Sequence, residues 1–370
     1  MNLEGQYIII FLVVFYLICT FFSFLINWLF LKFSVNLGAR AAGTDQIRWS
    51  ANVKPAIGGI SFFIVFLISI SVIGTLPRES AYLFDKHLIG IIGSCSLGFM
   101  LGLADDAYNT NPLAKFIAQL SCAFILIVSD VYIKLTGNAA VDFGITAMWV
   151  IGLMNSINML DNMDSITTTI SMSIIVSLIS IIAVFGFTPN TFYLVMLVGV
   201  LGALSGFLYF NWNPARIYMG DTGSQFLGVF LASTSILFFW NFKDEGSSEW
   251  IQLKQFVVPM LLFIVPLIDT TTVTIRRLMR KQLPFVGGKD HITHHLAYLG
   301  LSDKLVAITL ACLSLTSLPI VLLMVLGWIE WTWAITFGAF AYFFLVFVLI
   351  QILYNIGKRK REVAMQNKVA

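Results

Sequence analysis

Two adjacent carboxylates, Asp105 and Asp106 in "LGLADDAYN" (101–109), close an apolar run that begins at Leu88. Like charges within a few ångströms raise each other's pKa unless a cation neutralises them. Magnesium suits such a pair, since it prefers one or two carboxylates plus phosphate oxygens over a closed protein cage. A helix end where both aspartates face water is the alternative. Three other stretches carry chemistry of the same kind. In "NSINMLDNMDSI" (155–166), Asn155, Asn158 and Asp161 recur every third residue, near one stripe of a helix end, with Asp164 just beyond. Amides in an apolar span point to a polar cavity or to hydrogen bonding between helices. In "FNWNPARIYMGDTGSQFLG" (210–228), Gly220 and Gly223 bracket Asp221 and Thr222 before a helix begins. Glycine permits close approach of a ligand, and the free N–H groups of a helix start attract phosphate. Asp221 could hold a metal against that phosphate, while a plain cap by Asp221 or Thr222 is the alternative.

The fourth stretch lies in the loop 276–303 and reads "RRLMRKQLPFVGGKDHITHHLAYLG". It holds three of the four histidines, His291, His294 and His295. Histidines beside Arg and Lys suit a pyrophosphate; His-x-x-His-His could also ligate a transition metal. Arg276, Arg277 and Arg280 read equally well as anchors beside a membrane. Asp269 lies one to two helical turns before Arg276 and Arg277, where a structural ion pair with them competes with a catalytic role.

Composition says what must position these groups. The 370 residues are 58% hydrophobic and 11% charged, against about a quarter charged in a soluble domain. An all-α, polytopic membrane helix bundle follows. Spans of about 20 apolar residues are expected at 7–33, 58–76, 87–104, 114–133, 142–160, 166–186, 190–210, 224–242, 255–275, 304–327 and 331–354. These are about eleven transmembrane helices in a single membrane-embedded unit, 1–370, with no soluble domain and no nucleic-acid partner. The first span lacks the basic start and cleavage site of a signal peptide and is expected to be retained. The cysteines Cys19, Cys95, Cys122 and Cys312 have neither disulfide nor zinc spacing and read as small core residues.

Assigning alternate loops to alternate sides puts Arg78, Lys86, Lys134, Lys243 and Lys254 on one face and the rest of the 22 basic residues on the other. By the positive-inside rule the richer face is cytoplasmic, with the N-terminus outside and the C-terminus inside. The tail "KRKRE" (358–362) reads as a topology anchor at an anionic leaflet. Asp105, Asp106, Asp161, Asp164, Asp221 and Asp290 all fall on that same face, although only basic residues defined it, and Asp269 lies toward it. The rival class is a secondary transporter, whose buried carboxylates sit near mid-membrane, usually with internal repeats; no repeat is visible here.

In this order, the four stretches resemble the polyprenyl-phosphate N-acetylhexosamine-1-phosphate transferase family, over about 48–299. The double aspartate, basic residue and glutamine of that family are matched by Asp105, Asp106, Lys115 and Gln119. N-x-x-N-x-x-D-G-x-D-G is matched by Asn155, Asn158, Asp161 and Asp164, with Asn162 and Ser165 in place of the glycines. P-A-x-x-F-M-G-D-x-G-S is matched by Pro214, Ala215, Met219, Gly220, Asp221, Gly223 and Ser224, with Tyr218 for phenylalanine. P-x-x-G-G is matched by Pro55, Gly58 and Gly59, and Ser50 stands where many members have histidine. The usual H-x-H-H becomes His291, Thr293, His294, with His295 one place on. The peptidoglycan lipid-intermediate enzyme carries three adjacent histidines, so the resemblance is closer to the branch that begins O-antigen, teichoic-acid or other surface-glycan assembly.

The resemblance implies that a UDP-N-acetylhexosamine, with N-acetylglucosamine first among the donors, meets undecaprenyl phosphate at the cytoplasmic side of a bacterial inner membrane. Transfer of the sugar phosphate releases UMP and leaves a polyprenyl-diphospho-sugar. Magnesium is the implied cofactor, with manganese as a substitute. Asp106 and Asp221 are the expected metal ligands, and Asp105 orients the acceptor phosphate. Lys115, His291 and His294 contact phosphates or sugar, with His295 as stand-in for the missing histidine. Asn155, Asn158, Asp161, Asp164 and Gly220 complete the substrate-binding set. A homodimer is compatible with all of this.

Overall fold

A computed structural model describes residues 3–33, 54–74, 85–185, 190–242, 253–282, 288–326 and 331–369. Ser50, Arg78 and Lys243 lie outside them. Along the described chain run α1 (Leu3–Phe33), α2 (Gly58–Ile73), α3 (Lys86–Tyr108), α4 (Pro112–Val128), α5 (Ala139–Leu160), α6 (Ile166–Phe185) and α7 (Thr191–Asn211). There follow α8 (Gly220–Ser235), α9 (Lys254–Leu262), α10 (Ile264–Met279), α11 (Ile292–Tyr298), α12 (Asp303–Val325) and α13 (Trp333–Val369). A π-helical turn, Ile236–Trp240, extends α8. Among the described residues the sole β pairing is a bridge between Ala56 and Tyr218.

Among the described residues each expected apolar stretch carries a helix, though 129–133 leave the helix after Val128. Eight helices are long and apolar enough to cross a bilayer, nine if α9 and α10 count as one span bent by 81°. The shorter α2 and α4, 16 and 17 residues long, account for the other two stretches. The chain is an integral membrane protein. The bend falls at Phe263, between Pro259 and Pro266, which remove two backbone donors from the helical ladder. Asp142, which opens the span expected at 142–160, is buried and accepts from the Thr136 N–H (2.8 Å) and hydroxyl (2.9 Å). Of the four cysteines, Cys19, Cys95 and Cys122 are buried as expected, but Cys312 is exposed, since its face of α12 is turned away from the bundle.

The corner between α3 and α4 positions the double aspartate. α3 stops at Asn109, whose left-handed backbone (φ 52°) asparagine tolerates better than most residues. The side chain of Asn111 then accepts from the Leu113 N–H, and Pro112 opens α4, where its missing donor is harmless. Three residues of connection therefore bring Lys115, one turn into α4, back to the last turn of α3.

At the centre lies α8, buried from Thr222 to Ser235 and packed against α2, α3 and α5. Its start is seated by glycines and by a backbone clasp. Tyr218 N–H donates to Pro55 O (2.9 Å), while Gly58 and Gly59 donate to the carbonyls of Tyr218 (3.0 Å) and Met219 (2.9 Å). A Cβ on Gly59 would stand 2.2 Å from Gly223 N, and one on Gly102 2.2 Å from Asp221 O. Backbone cannot yield as a side-chain tip can. Gly102→Ala should therefore displace the start of α8 and cost about 1–3 kcal/mol, read as a lower unfolding temperature in detergent.

Candidate active site

The last turn of α3 holds the first turn of α8. Asp106 Oδ1 accepts from the Asp221 N–H (2.9 Å), and Oδ2 accepts from the N–H (2.8 Å) and hydroxyl (2.6 Å) of Thr222. The helix start is therefore capped neither by Asp221 nor by Thr222 but by a carboxylate from another helix. Two of the amides at this helix start are thereby taken by Asp106. Gly220 is left-handed (φ +73°), and a Cβ there would stand 2.6 Å from Asp106 Oδ2. On that side the glycine lies directly against the Asp106 carboxylate, which leaves no room for a side chain.

The capping interaction sets Asp221 against Asp105. Their carboxylates lie within hydrogen-bonding reach of each other. Asp105 is almost fully buried and ion-paired with Lys115, and its Oδ1 accepts from the Thr110 N–H (2.9 Å) and hydroxyl (2.8 Å). Neither aspartate of the pair in α3 is a wet helix end. Asn158 Nδ2 donates to Asp221 Oδ1 at 2.9 Å, so the polar stripe of α5 reaches the same place. Asp105, Asp106, Lys115, Asn158, Gly220 and Asp221, drawn from four helices, thus form one cluster at helix ends.

One turn further along three of these helices lies a layer of amides. Gln119 Nε2 donates to Gln225 Oε1 (3.1 Å), and Asn155 Nδ2 donates to Gln119 Oε1 (2.9 Å). Asn155 therefore ties α5 to α4, the helix-to-helix alternative for the polar stripe, and does not point to the carboxylates. Sequence reasoning passed over Gln225, although its spacing of four from Asp221 puts both on one face of α8.

Asp164 anchors the segment that leads into α8. Its Oδ2 accepts from Asn213 Nδ2 (3.0 Å) and the Ala215 N–H (2.8 Å), with Lys54 Nζ at 3.7 Å. Its carboxylate thus holds backbone in place. Asp161 ends α5 between this anchor and Asn158. Ser165, at a position where the resembled pattern has glycine, is left-handed (φ 62°), which is the physical reason for a glycine there.

His294 and His295 lie in the short helix α11, and His291 precedes it at the N-cap. His291 Nδ1 and Asp269 Oδ2 are 2.8 Å apart, and Asp269 Oδ1 accepts from the Ile292 N–H (2.9 Å). Asp269 thus engages the histidine segment and not Arg276 or Arg277. Arg277 instead makes a two-pronged pair with Asp290 (3.0 and 2.6 Å). Burial alone would raise the Asp290 carboxyl, but the Arg277 guanidinium outweighs it and holds the pKa below its usual value. Thr293 donates to Asn162 Oδ1 at 2.6 Å, which joins α11 to the turn after α5. Among the described residues no three of His, Cys, Asp and Glu are grouped to hold a metal, so the transition-metal reading of His-x-x-His-His finds no support.

His294 and His295 are both buried. Burial first, then His291 and His295, hold the His294 imidazole at about 3; Asp290 works the other way and Lys289 adds to the lowering. Burial first, then Arg361 and Arg276, hold His295 at about 4; Asp290 opposes this and Lys358 adds to it. Both rings are therefore neutral at neutral pH. An unfolded histidine takes its proton near 6.5, so between pH 6.5 and about 4 the unfolded segment binds more protons than the folded one. The contribution of these rings to stability is complete above pH 6.5 and falls as the pH drops through that window. By pH 5 each should have lost about 2 kcal/mol. Amide exchange of 292–298, corrected for intrinsic rate, should rise between pH 7 and pH 5 while that of α8 does not.

The sequence signature of glycosyl transferase family 4 matches residues 88–239, which include the double aspartate, the α5 stripe and the start of α8. "Probable undecaprenyl-phosphate N-acetylglucosaminyl 1-phosphate transferase" of Bacillus subtilis is 30% identical over 264 residues, covering 68% of this chain and 68% of its own. "Decaprenyl-phosphate N-acetylglucosaminephosphotransferase" of Mycolicibacterium smegmatis is 25% identical over 276 residues, 68% and 66% of the two chains. "Phospho-N-acetylmuramoyl-pentapeptide-transferase" of Staphylococcus carnosus is 30% identical over 205 residues, 50% and 62% of the two. With its four motif stretches gathered at one set of helix ends and a relative matched over two thirds of both chains, this protein belongs to glycosyl transferase family 4.

Proposed function

We propose that the protein transfers N-acetylhexosamine-1-phosphate from a UDP-sugar, N-acetylglucosamine first among them, to a polyprenyl phosphate. The observation that carries this reading is the facing pair Asp105 and Asp221, held by Lys115 and Asn158 at the ends of α3 and α8. Two carboxylates so close need a proton or a cation between them. Two carboxylates, with phosphate oxygens of the substrates completing the shell, are a donor set that suits magnesium, or manganese in its place. Asp221 would hold it together with Asp106, which meets the same helix start, and Asp105 faces the same place. A divalent ion there would neutralise the diphosphate of the donor.

The rest of the chemistry belongs to the chain. An oxygen of the acceptor phosphate attacks the β-phosphorus of the donor; the bond to the bridging oxygen breaks, and UMP leaves. The second pKa of a phosphate monoester is near 6, so that oxygen is already ionised at neutral pH and no general base is required. Asp105, fixed by Thr110 and Lys115, orients, and the Lys115 ammonium offsets charge as two polyanions approach. Catalysis of this kind is positioning and charge neutralisation. His294, neutral on a segment that Asp269 anchors through His291 and the Ile292 N–H, offers the donor phosphates a ring N–H without added charge.

The excess of basic residues on one face supports a cytoplasmic site in a bacterial inner membrane, with the N-terminus outside. The transporter reading loses ground, because the carboxylates sit at helix ends and the relatives carry transferase names. The test is UMP release from UDP-N-acetylglucosamine by purified protein in nanodiscs with undecaprenyl phosphate and magnesium. Release is expected to vanish without acceptor or with excess chelator; no release from any UDP-N-acetylhexosamine would overturn the reading.

A further inference from the structure

The charged end of α13 lies outside the matched family segment and reads in sequence as a topology anchor, yet it packs on the histidine helix. The rings of His295 and Tyr354 are stacked with centroids 3.6 Å apart and 27° between planes. The Arg276 guanidinium lies 3.8 Å from the centroid of the same tyrosine, and Tyr354 is almost fully buried. Arg276 donates to Gln351 (3.0 Å) and Asn355 (3.1 Å), and Gln351 donates to Thr272 (2.6 Å). Gln351, Tyr354 and Asn355 lie on one helical face. A Cβ on Gly357 would stand 2.3 Å from the His295 carbonyl oxygen, so at this point the two helices touch backbone to backbone. Lys360 donates to Leu299 O (3.1 Å) and Arg361 to Lys289 O (3.5 Å). Two residues of "KRKRE" are thereby engaged with the two ends of the histidine segment.

A seven-residue helix is not stable by itself. α11 is held on one side by Asp269 of α10 and on the other by α13. Donors to a reacting phosphate must be held within about half an ångström to be effective. We propose that the end of α13 is a brace for the histidine helix, with Tyr354 and Gly357 as positioning residues that keep His291 and His294 aimed at the donor phosphates. His295 is then the brace's point of contact and not itself a phosphate ligand. The inference rests on the transferase reading above.

The test uses the full chain in nanodiscs, with Tyr354→Leu removing the ring, Tyr354→Phe keeping it and Gly357→Val pushing the helices apart. Amide exchange of 292–298 should rise at least tenfold in Tyr354→Leu and Gly357→Val, with α8 unchanged. In both, kcat for UMP release should fall at least tenfold while KM for undecaprenyl phosphate stays within twofold. Tyr354→Phe should behave as wild type in both readouts. Unchanged exchange in Tyr354→Leu would overturn the brace, as would a loosened α11 with wild-type kcat. Absence of UMP release from the wild type would instead count against the transferase reading, so the two fail separately.

Discussion

Asp221→Asn should lower UMP release by at least about 10³-fold, the scale of losing one preorganised charge-stabilising group, without lowering stability. The amide keeps a carbonyl oxygen to accept from Asn158, so the hydrogen bond at this corner persists. It also removes one of two carboxylates that face each other, and relieving like-charge contact stabilises the fold. Stability held or raised while activity collapses is the mark of a group kept for function. A second readout does not depend on turnover. Magnesium with UDP should raise the unfolding temperature of the wild type, since a ligand bound only to the folded state stabilises it by mass action. Asp221→Asn should lose that increment. Near-normal UMP release from this variant would remove Asp221 from the reacting centre.

Asp106→Ala should also abolish transfer, but by a different route. It strips the acceptor from three donors at once, two backbone N–H groups and the Thr222 hydroxyl. Each orphaned buried donor costs about 1–3 kcal/mol, so a loss of about 3 kcal/mol is the lower expectation. Amide exchange at 220–224 should rise, and the unfolding temperature should fall. The two neighbouring aspartates of "ADDAY" would then be separated by experiment. One would have its role at the reacting phosphates, as read through its partner Asp221; the other would hold the helix that carries that partner. An Asp106→Ala protein with wild-type stability would show that the cap is dispensable.

Asn162 and Thr293 illustrate how departures from a family pattern can be read together. Each stands where the resembled pattern has another residue, and in the folded chain they are hydrogen-bonded at 2.6 Å. Asn162 also donates to Met159 O (2.9 Å), so its amide closes the turn after α5 and ties it to α11. One bond explains two departures that are 131 residues apart.

Much of this protein was legible from the order of its residues alone. The apolar stretches gave the helices, because a bilayer demands length and hydrophobicity that any reader can count. Asp105, Asn158 and Asp221 were legible as neighbours, because charge and amide in so apolar a chain need a common reason, and Lys115 joined them only through the family resemblance. What each carboxylate does was not legible. The spacing does not say that Asp106 accepts from the start of α8, that Asp164 accepts from the Ala215 N–H, or that Asp269 pairs with His291 and leaves Arg277 to Asp290. Spacing along one helix predicts neighbours on that helix. A carboxylate's partner is chosen by whichever buried donor the packing of other helices leaves unsatisfied, and only the tertiary structure decides that.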